Sequence, residues 1–88
     1  MKISRIYYHS KFKRRLKKIG PQIKETLWER IYIFRNNCFD ARLRTHKLHG
    51  ELDDFYSFSV THSHRIIFNM PEEGIVEFID IGNHSIYQ

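Results

Sequence analysis

Between Phe55 and Ile81 the chain reads as a succession of short alternating runs. Tyr56, Phe58 and Val60 alternate with Ser57, Ser59 and Thr61. A period of two belongs to a strand with one buried and one wetted face. After a short link at His62-Ser63, the run Arg65–Met70 sends Ile66, Phe68 and Met70 one way and Arg65, Ile67 and Asn69 the other. Pro71-Glu-Glu-Gly74 has the composition of a hairpin turn, and Ile75–Ile81 forms a last strand. Strands joined by such short links pair antiparallel. A sheet with one apolar face must be covered by another layer.

The first half of the chain supplies that layer. Residues 2–8, with Ile3, Ile6, Tyr7 and Tyr8, read as a strand. Ser10 is a candidate cap for a helix in which Phe12, Leu16 and Ile19 recur at helical spacing. Lys11, Lys13, Arg14, Arg15, Lys17 and Lys18 surround that stripe. Gly20 suits a helix end and Pro21 the first turn of the next helix. Ile23, Leu27, Ile31 and Phe34 fall on one face of this second helix, which frays near Asn36-Asn37. Residues 38–54 read as a loop that turns at Gly50. The expected fold is α+β, one domain over 1–88, in the order β-α-α-β-β-β. A helical hairpin covers one face of a small, mostly antiparallel sheet. The other face is expected to stay open, carrying the serines, Arg65 and the end of the chain at His84.

Composition narrows what such a domain does. A chain of 88 residues buries a small core, and its seven phenylalanines, five tyrosines and one tryptophan add large apolar areas to it. Fifteen Lys+Arg against ten Asp+Glu leave a net charge of +5, which draws the protein to polyanions or to an acidic partner. The single cysteine, Cys38, has no intramolecular disulfide partner, which fits a reducing cytoplasm. No run approaches the roughly 20 apolar residues of a membrane span. Met1-Lys-Ile-Ser-Arg5 lacks the apolar core of a signal peptide. The six histidines are scattered without a cysteine cluster, so neither a metal nor another cofactor is expected.

Arg65 on a strand face and a histidine after Gly82-Asn83 suit phosphodiester cleavage. Histidine exchanges protons near neutral pH. Arginine holds a permanent charge and binds two phosphate oxygens at once. The plain readings are that Arg65 pairs with Asp80 or Glu77 on the next strand, and that His84 is a surface residue near a terminus. The run Lys11–Lys18 is a solvated helix face or a track for RNA phosphates.

With His46-Lys-Leu-His-Gly50, Arg65-Ile-Ile-Phe68 and Ile81-Gly-Asn-His84 taken together, the whole chain resembles the RelE/ParE superfamily of bacterial type II toxin–antitoxin toxins. The YafQ-like and RelE-like ribonuclease branches are the nearest in pattern. Each piece is weak alone, and the set is fairly specific. The resemblance implies a cytoplasmic, metal-independent mRNA endonuclease. It implies action on the ribosome, inhibition of translation and neutralisation by a cognate antitoxin. Residue by residue, His46 matches the histidine before the L-x-G turn, His84 the terminal histidine, and Arg65 the strand arginine of the RelE-like and YoeB-like branches. Tyr87 lies near their C-terminal tyrosine. The resemblance makes His84 the general acid, Arg65 the phosphate clamp and His46 the base. Arg42, Arg44, Lys47 and Tyr87 are the RNA-binding candidates. YafQ-like sequences carry a second histidine and an aspartate in the central hairpin. This chain has Ser59 and Ser63 there, so His62, His64 and Glu51 stay open as alternative bases. A ParE-like toxin of the same fold, inhibiting DNA gyrase, is the runner-up. An inactive RNA-binding module ranks last, because the aromatic signatures of such modules are missing.

Overall fold

Five phenylalanine rings hold the molecule together. Phe34 stacks on Phe58 at a centroid distance of 4.6 Å and meets the edges of Phe68 at 5.0 Å and Phe78 at 5.4 Å. Phe12 joins from the other helix, 5.4 Å from Phe78. All five are buried in one continuous core with Leu27, Ile31, Ile66, Val76 and Ile81. Edge-to-face and offset contacts at these distances add to what area burial alone contributes.

The structure, a computed structural model, describes residues 1–52 and 54–83. Strand β1 (Arg5–Tyr8) leads into helix α1 (Ser10–Leu16) and helix α2 (Pro21–Asn36). Strands β2 (His46–Lys47), β3 (Tyr56–Ser59), β4 (Arg65–Glu72) and β5 (Ile75–Gly82) follow. The sheet order is β1-β5-β4-β3-β2, with β1 parallel to β5 and every other pair antiparallel. The α+β reading is therefore borne out, as is the helical hairpin on one face of a mostly antiparallel sheet. The parallel pair arises because the helical hairpin carries the chain back before β5 enters beside β1.

Several local expectations shift. The cap of α1 is His9, whose ring Nδ1 accepts from the Lys11 N–H at 3.1 Å, and Ser10 is already inside the helix. Ile19 lies beyond α1, where the Lys18 and Ile19 N–H groups bond back three residues and tighten the last turn. The supposed loop holds the two-residue strand β2, paired as His46 with Ser57 and Lys47 with Tyr56. Strand β4 runs through Pro71-Glu72, which narrows the hairpin turn to Glu73-Gly74. Gly74 takes a φ of 80°, a region that suits glycine. Trp28, which follows Leu27 of the buried stripe, is 54 % exposed.

The face away from the helices is not open throughout. Ser57, Ile67 and Asp80 are in register across β3, β4 and β5, and all three are buried. Irregular pairing between Ile67 and Phe68 shifts the β4–β5 register by one residue. Phe78 and Ile81 therefore both reach the core while Asp80 points away. Lys11 and Arg15 of α1 close over its carboxylate at 3.3 Å each. Among the described residues, no helix is long and apolar enough to cross a membrane.

Phe34→Ala is expected to cost about 3–5 kcal/mol, as deletion of a buried aromatic does. That is a large share of the stability of a domain of this size, at about 0.05–0.15 kcal/mol per residue. Trp28→Ala is expected to stay within about 1 kcal/mol of the parent. Urea unfolding of the two variants checks the contrast, and equal losses would place α2 in the wrong rotation.

Candidate functional site

The site lies where β3 hands over to β4. Arg65 opens β4, with Ser59 opposite it on β3 and Gly82 opposite it on β5. This register puts neither Asp80 nor Glu77 directly opposite Arg65. The Asp80 carboxylate is taken by Lys11 and Arg15, and Glu77 faces Asn69. His46 stands on the same face, one strand further out and two residues along. Strand spacing and rise put its Cα about 12 Å from that of Arg65. The two long side chains can thus reach one group lodged between them.

Both residues line an open cleft of about 500 Å³. Arg30, Arg42, Arg44, Ser59, Val60, Thr61 and His62 complete its wall. Four arginines and two histidines thus share a concavity with no carboxylate among its described lining residues. Low-dielectric walls with one sign of charge focus the field on an incoming anion. Arg30 comes from α2, so the cleft wraps round the strand ends and is not confined to the face away from the helices.

Local geometry sets the state of His46. Its Nδ1 lies 2.9 Å from the Arg44 carbonyl oxygen. A carbonyl only accepts, so Nδ1 carries the proton and, in the neutral ring, Nε2 is left as the acceptor. An exposed imidazole with Nε2 bare is arranged to remove a proton. Arg44 presents that carbonyl from a left-handed conformation, φ 53° and ψ 39°. The bend ends a short 3-10 turn, Ala41–Leu43, and turns the chain into β2. The Thr45 hydroxyl donates to the carbonyl of buried Cys38 and ties the bend down. Burial raises the Cys38 thiol pKa above its ordinary value.

Arg42 has a partner within the protein. Its Nε and Nη2 donate to the two Asp40 oxygens at 2.9 Å each, and its backbone N–H donates to Asp40 Oδ1 as well. These bonds lower the Asp40 carboxyl to about 2. The Arg42 charge is therefore largely offset, which weakens its case as a substrate contact. Arg30 Nη1 reaches the Arg42 carbonyl at 3.4 Å.

The link after β3 is shaped by Thr61. Its hydroxyl oxygen accepts from the N–H groups of Ser63 and His64, and the His64 carbonyl accepts from the N–H groups of Val60 and Thr61. His62 is exposed at the tip and lines the cleft. His64 Nδ1 bonds the Ser63 hydroxyl at 2.9 Å and is not part of the wall.

The structure brings together His46, Arg65, Arg42 and Arg44 of the residues expected from sequence. Lys47 follows His46 on an alternating strand, so it projects to the other face, and it does not line the cleft. Glu51 and His49 are exposed outside it. His84 and Tyr87 lie outside the described residues, and β5 ends at Gly82 beside Arg65. Arg30 is the lining residue that sequence reasoning missed. Its place one position before Ile31 of the buried stripe put it on the margin of α2, where a cation reads as solvated. Among the described residues, no three His, Cys, Asp or Glu side chains converge as a metal site requires.

No protein-family model and no curated protein matches the chain by sequence. Solved structures do match. The DinJ–YafQ toxin–antitoxin complex of E. coli is similar at a TM-score of 0.75 and 17 % identity, over 98 % of this chain and 97 % of that one. The archaeal RelE–RelB complex of Pyrococcus horikoshii OT3 matches at 0.73 and 16 %, over 94 % and 96 %. The YoeB/ParE toxin of Agrobacterium tumefaciens matches at 0.72 and 17 %, over 96 % and 99 %.

The chain has the RelE/YafQ toxin fold. Within that fold, the cleft combines one bend that holds His46 with one strand start that holds Arg65.

Two outcomes follow from the geometry. The left-handed Arg44 costs about 1–2 kcal/mol relative to glycine. Arg44→Gly is therefore expected to raise the thermal midpoint while removing a cation from the cleft, and a lower midpoint would show that the side chain supports the bend. Asp40 should titrate near pH 2 in carbon-detected NMR. Arg42→Ala should raise it part of the way towards the ordinary range near 3.9, because the backbone N–H bond and the Arg30 charge remain. Because the folded value is depressed, the Asp40 contribution to stability is present above pH about 4 and fades as pH falls towards 2. A titration near pH 4 in the parent protein would rule out the paired geometry.

Proposed function

We propose that the protein is the toxin of a type II toxin–antitoxin pair and acts as a metal-independent endoribonuclease on mRNA. The observation that carries this reading is the acid-free cleft in which His46 presents a bare Nε2 beside Arg65. Cleavage of RNA without a metal needs three things. A base must take the proton of the 2′-OH, a fixed cation must offset charge on the phosphorane, and an acid must protonate the departing 5′-oxygen. His46 is the base in this reading, with His62 the alternative from the opposite wall. Arg65 is the phosphate clamp. His84 is the acid, two residues beyond the strand end that faces Arg65. Arg44 and Arg42 contact RNA, the latter weakened by Asp40, and Tyr87 and Lys47 are further contacts outside the described cleft.

The fold supports the class, because the toxins that share it include YafQ bound to DinJ and RelE bound to RelB. A basic surface with a net charge of +5 suits an acidic antitoxin segment as well as RNA. The reading places the protein in the cytoplasm and its substrate on the ribosome.

Expression without an antitoxin is expected to arrest growth and to create new mRNA 5′ ends. His46→Ala or Arg65→Ala should reduce cleavage about 100- to 10,000-fold, the usual cost of losing a proton-transfer or charge-stabilising group. Products should carry a 5′-hydroxyl and a 2′,3′-cyclic or 3′-phosphate. RNA with a 2′-deoxy sugar at the cut should resist, and EDTA should not inhibit. A 5′-phosphate product would mean that water, and not the 2′-OH, attacks. Growth arrest with intact mRNA and DNA damage would favour a ParE-like action on gyrase.

A further inference from the structure

The cleft has a direction. Strand order places Gly82, Arg65 and Ser59 in a row from β5 to β3, with β2 beyond them at the edge of the sheet. Continuing the β2–β3 register back from His46 brings Arg44 alongside the end of β3. Arg30 lines the same cleft, with its Nη1 3.4 Å from the Arg42 carbonyl. A strand of RNA that crosses the ends of the protein strands therefore runs from Arg65 on β4 towards the β2 edge, where His46 and Arg44 stand.

Chemistry fixes which way it runs. The 2′-OH that attacks belongs to the nucleotide on the 5′ side of the scissile phosphate. If Arg65 holds that phosphate and His46 Nε2 takes the 2′-OH proton, the 5′ nucleotide lies towards β2. Its own 5′ phosphate then falls on the β2 side of the cleft, where Arg44 and Arg30 belong to the wall. Asp40 already offsets Arg42. Asp40 also feels the Arg30 charge, but among the described residues no carboxylate is in salt-bridge contact with Arg30 or Arg44.

We propose that Arg30 and Arg44 form a subsite for the phosphate immediately upstream of the cut, so that RNA binds with its 5′ side at β2 and its 3′ side at β5. The subsite rests on the nuclease reading above. Arg42 and Asp40 are its scaffold. Their bidentate pair braces the 3-10 turn whose carbonyl orients Arg30. Arg30 acts here as a positioning residue for substrate and has no part in proton transfer.

The test uses the intact protein and an mRNA whose cut site has been mapped, presented on ribosomes. One linkage is replaced by an uncharged methylphosphonate, either immediately upstream or immediately downstream of the cut. Wild-type cleavage should fall roughly tenfold or more when the upstream charge is removed, and much less for the downstream change. Arg30→Ala should fall by a similar factor on unmodified RNA and become indifferent to the upstream substitution. Arg30→Lys should regain most of the loss together with the sensitivity, a rescue that a merely structural role would not give. A wild type that cuts normal RNA but ignores the upstream charge overturns the subsite alone. The subsite is also overturned if Arg30→Ala stays as sensitive as wild type, or if the downstream linkage matters more. A wild type that cuts no mRNA, or an equally active His46→Ala variant, removes the nuclease reading and the subsite with it.

Discussion

Everything in this molecule depends on Phe34. Its ring touches Phe58, Phe68 and Phe78, one from each of β3, β4 and β5. That contact fixes how α2 lies on the sheet, and the lie of α2 decides where Arg30 emerges. A domain of this size has little other core to spare. The position of the outermost cation in the cleft is thus set by an apolar contact one helical turn away. Packing and charge are linked through the rigidity of a single helix.

The cleft shows how a small protein concentrates positive charge without losing its fold. Six Lys and Arg residues crowd the run Lys11–Lys18, yet Lys11 and Arg15 are held against buried Asp80, which spends part of that charge on structure. At the other end Asp40 offsets Arg42. Two acids thereby calm cations that shape the scaffold, while the described wall of the cleft carries arginines and histidines and no acid of its own. The left-handed Arg44 belongs to the same pattern. Strain is tolerated where the chain must both turn and present a carbonyl to His46.

Much of the fold was legible because its signals are periodic. Alternation marked β3, β4 and β5, and the stripe Leu27, Ile31 and Phe34 marked the buried side of α2. The sequence did not reveal the two-residue strand β2, since two residues carry no period. Nor did it reveal that His9 would cap α1 in place of Ser10, because a ring nitrogen is an uncommon cap. The register shift after Ile67 was equally hidden, as was the closing of Lys11 and Arg15 over Asp80. Of the site, His46, Arg65, Arg42 and Arg44 were readable as residues. Their convergence was not, and neither was Arg30, because a cation beside an apolar stripe looks the same whether it meets solvent or closes a cleft.

The placement of β5 sets the order of events during synthesis. This strand is the last to emerge, yet it sits between β1 and β4 and carries Phe78 into the centre of the core. Until it arrives, β1 has no neighbour in the sheet and Arg65 has none on its β5 side. The contact between β1 and β5 spans nearly the whole chain, so closing it is slow compared with forming the helices. The sheet therefore stays split, with β1 apart from β4, until β5 has been made and has found its place between them. The centre of the molecule is closed by the strand that comes last in chain order.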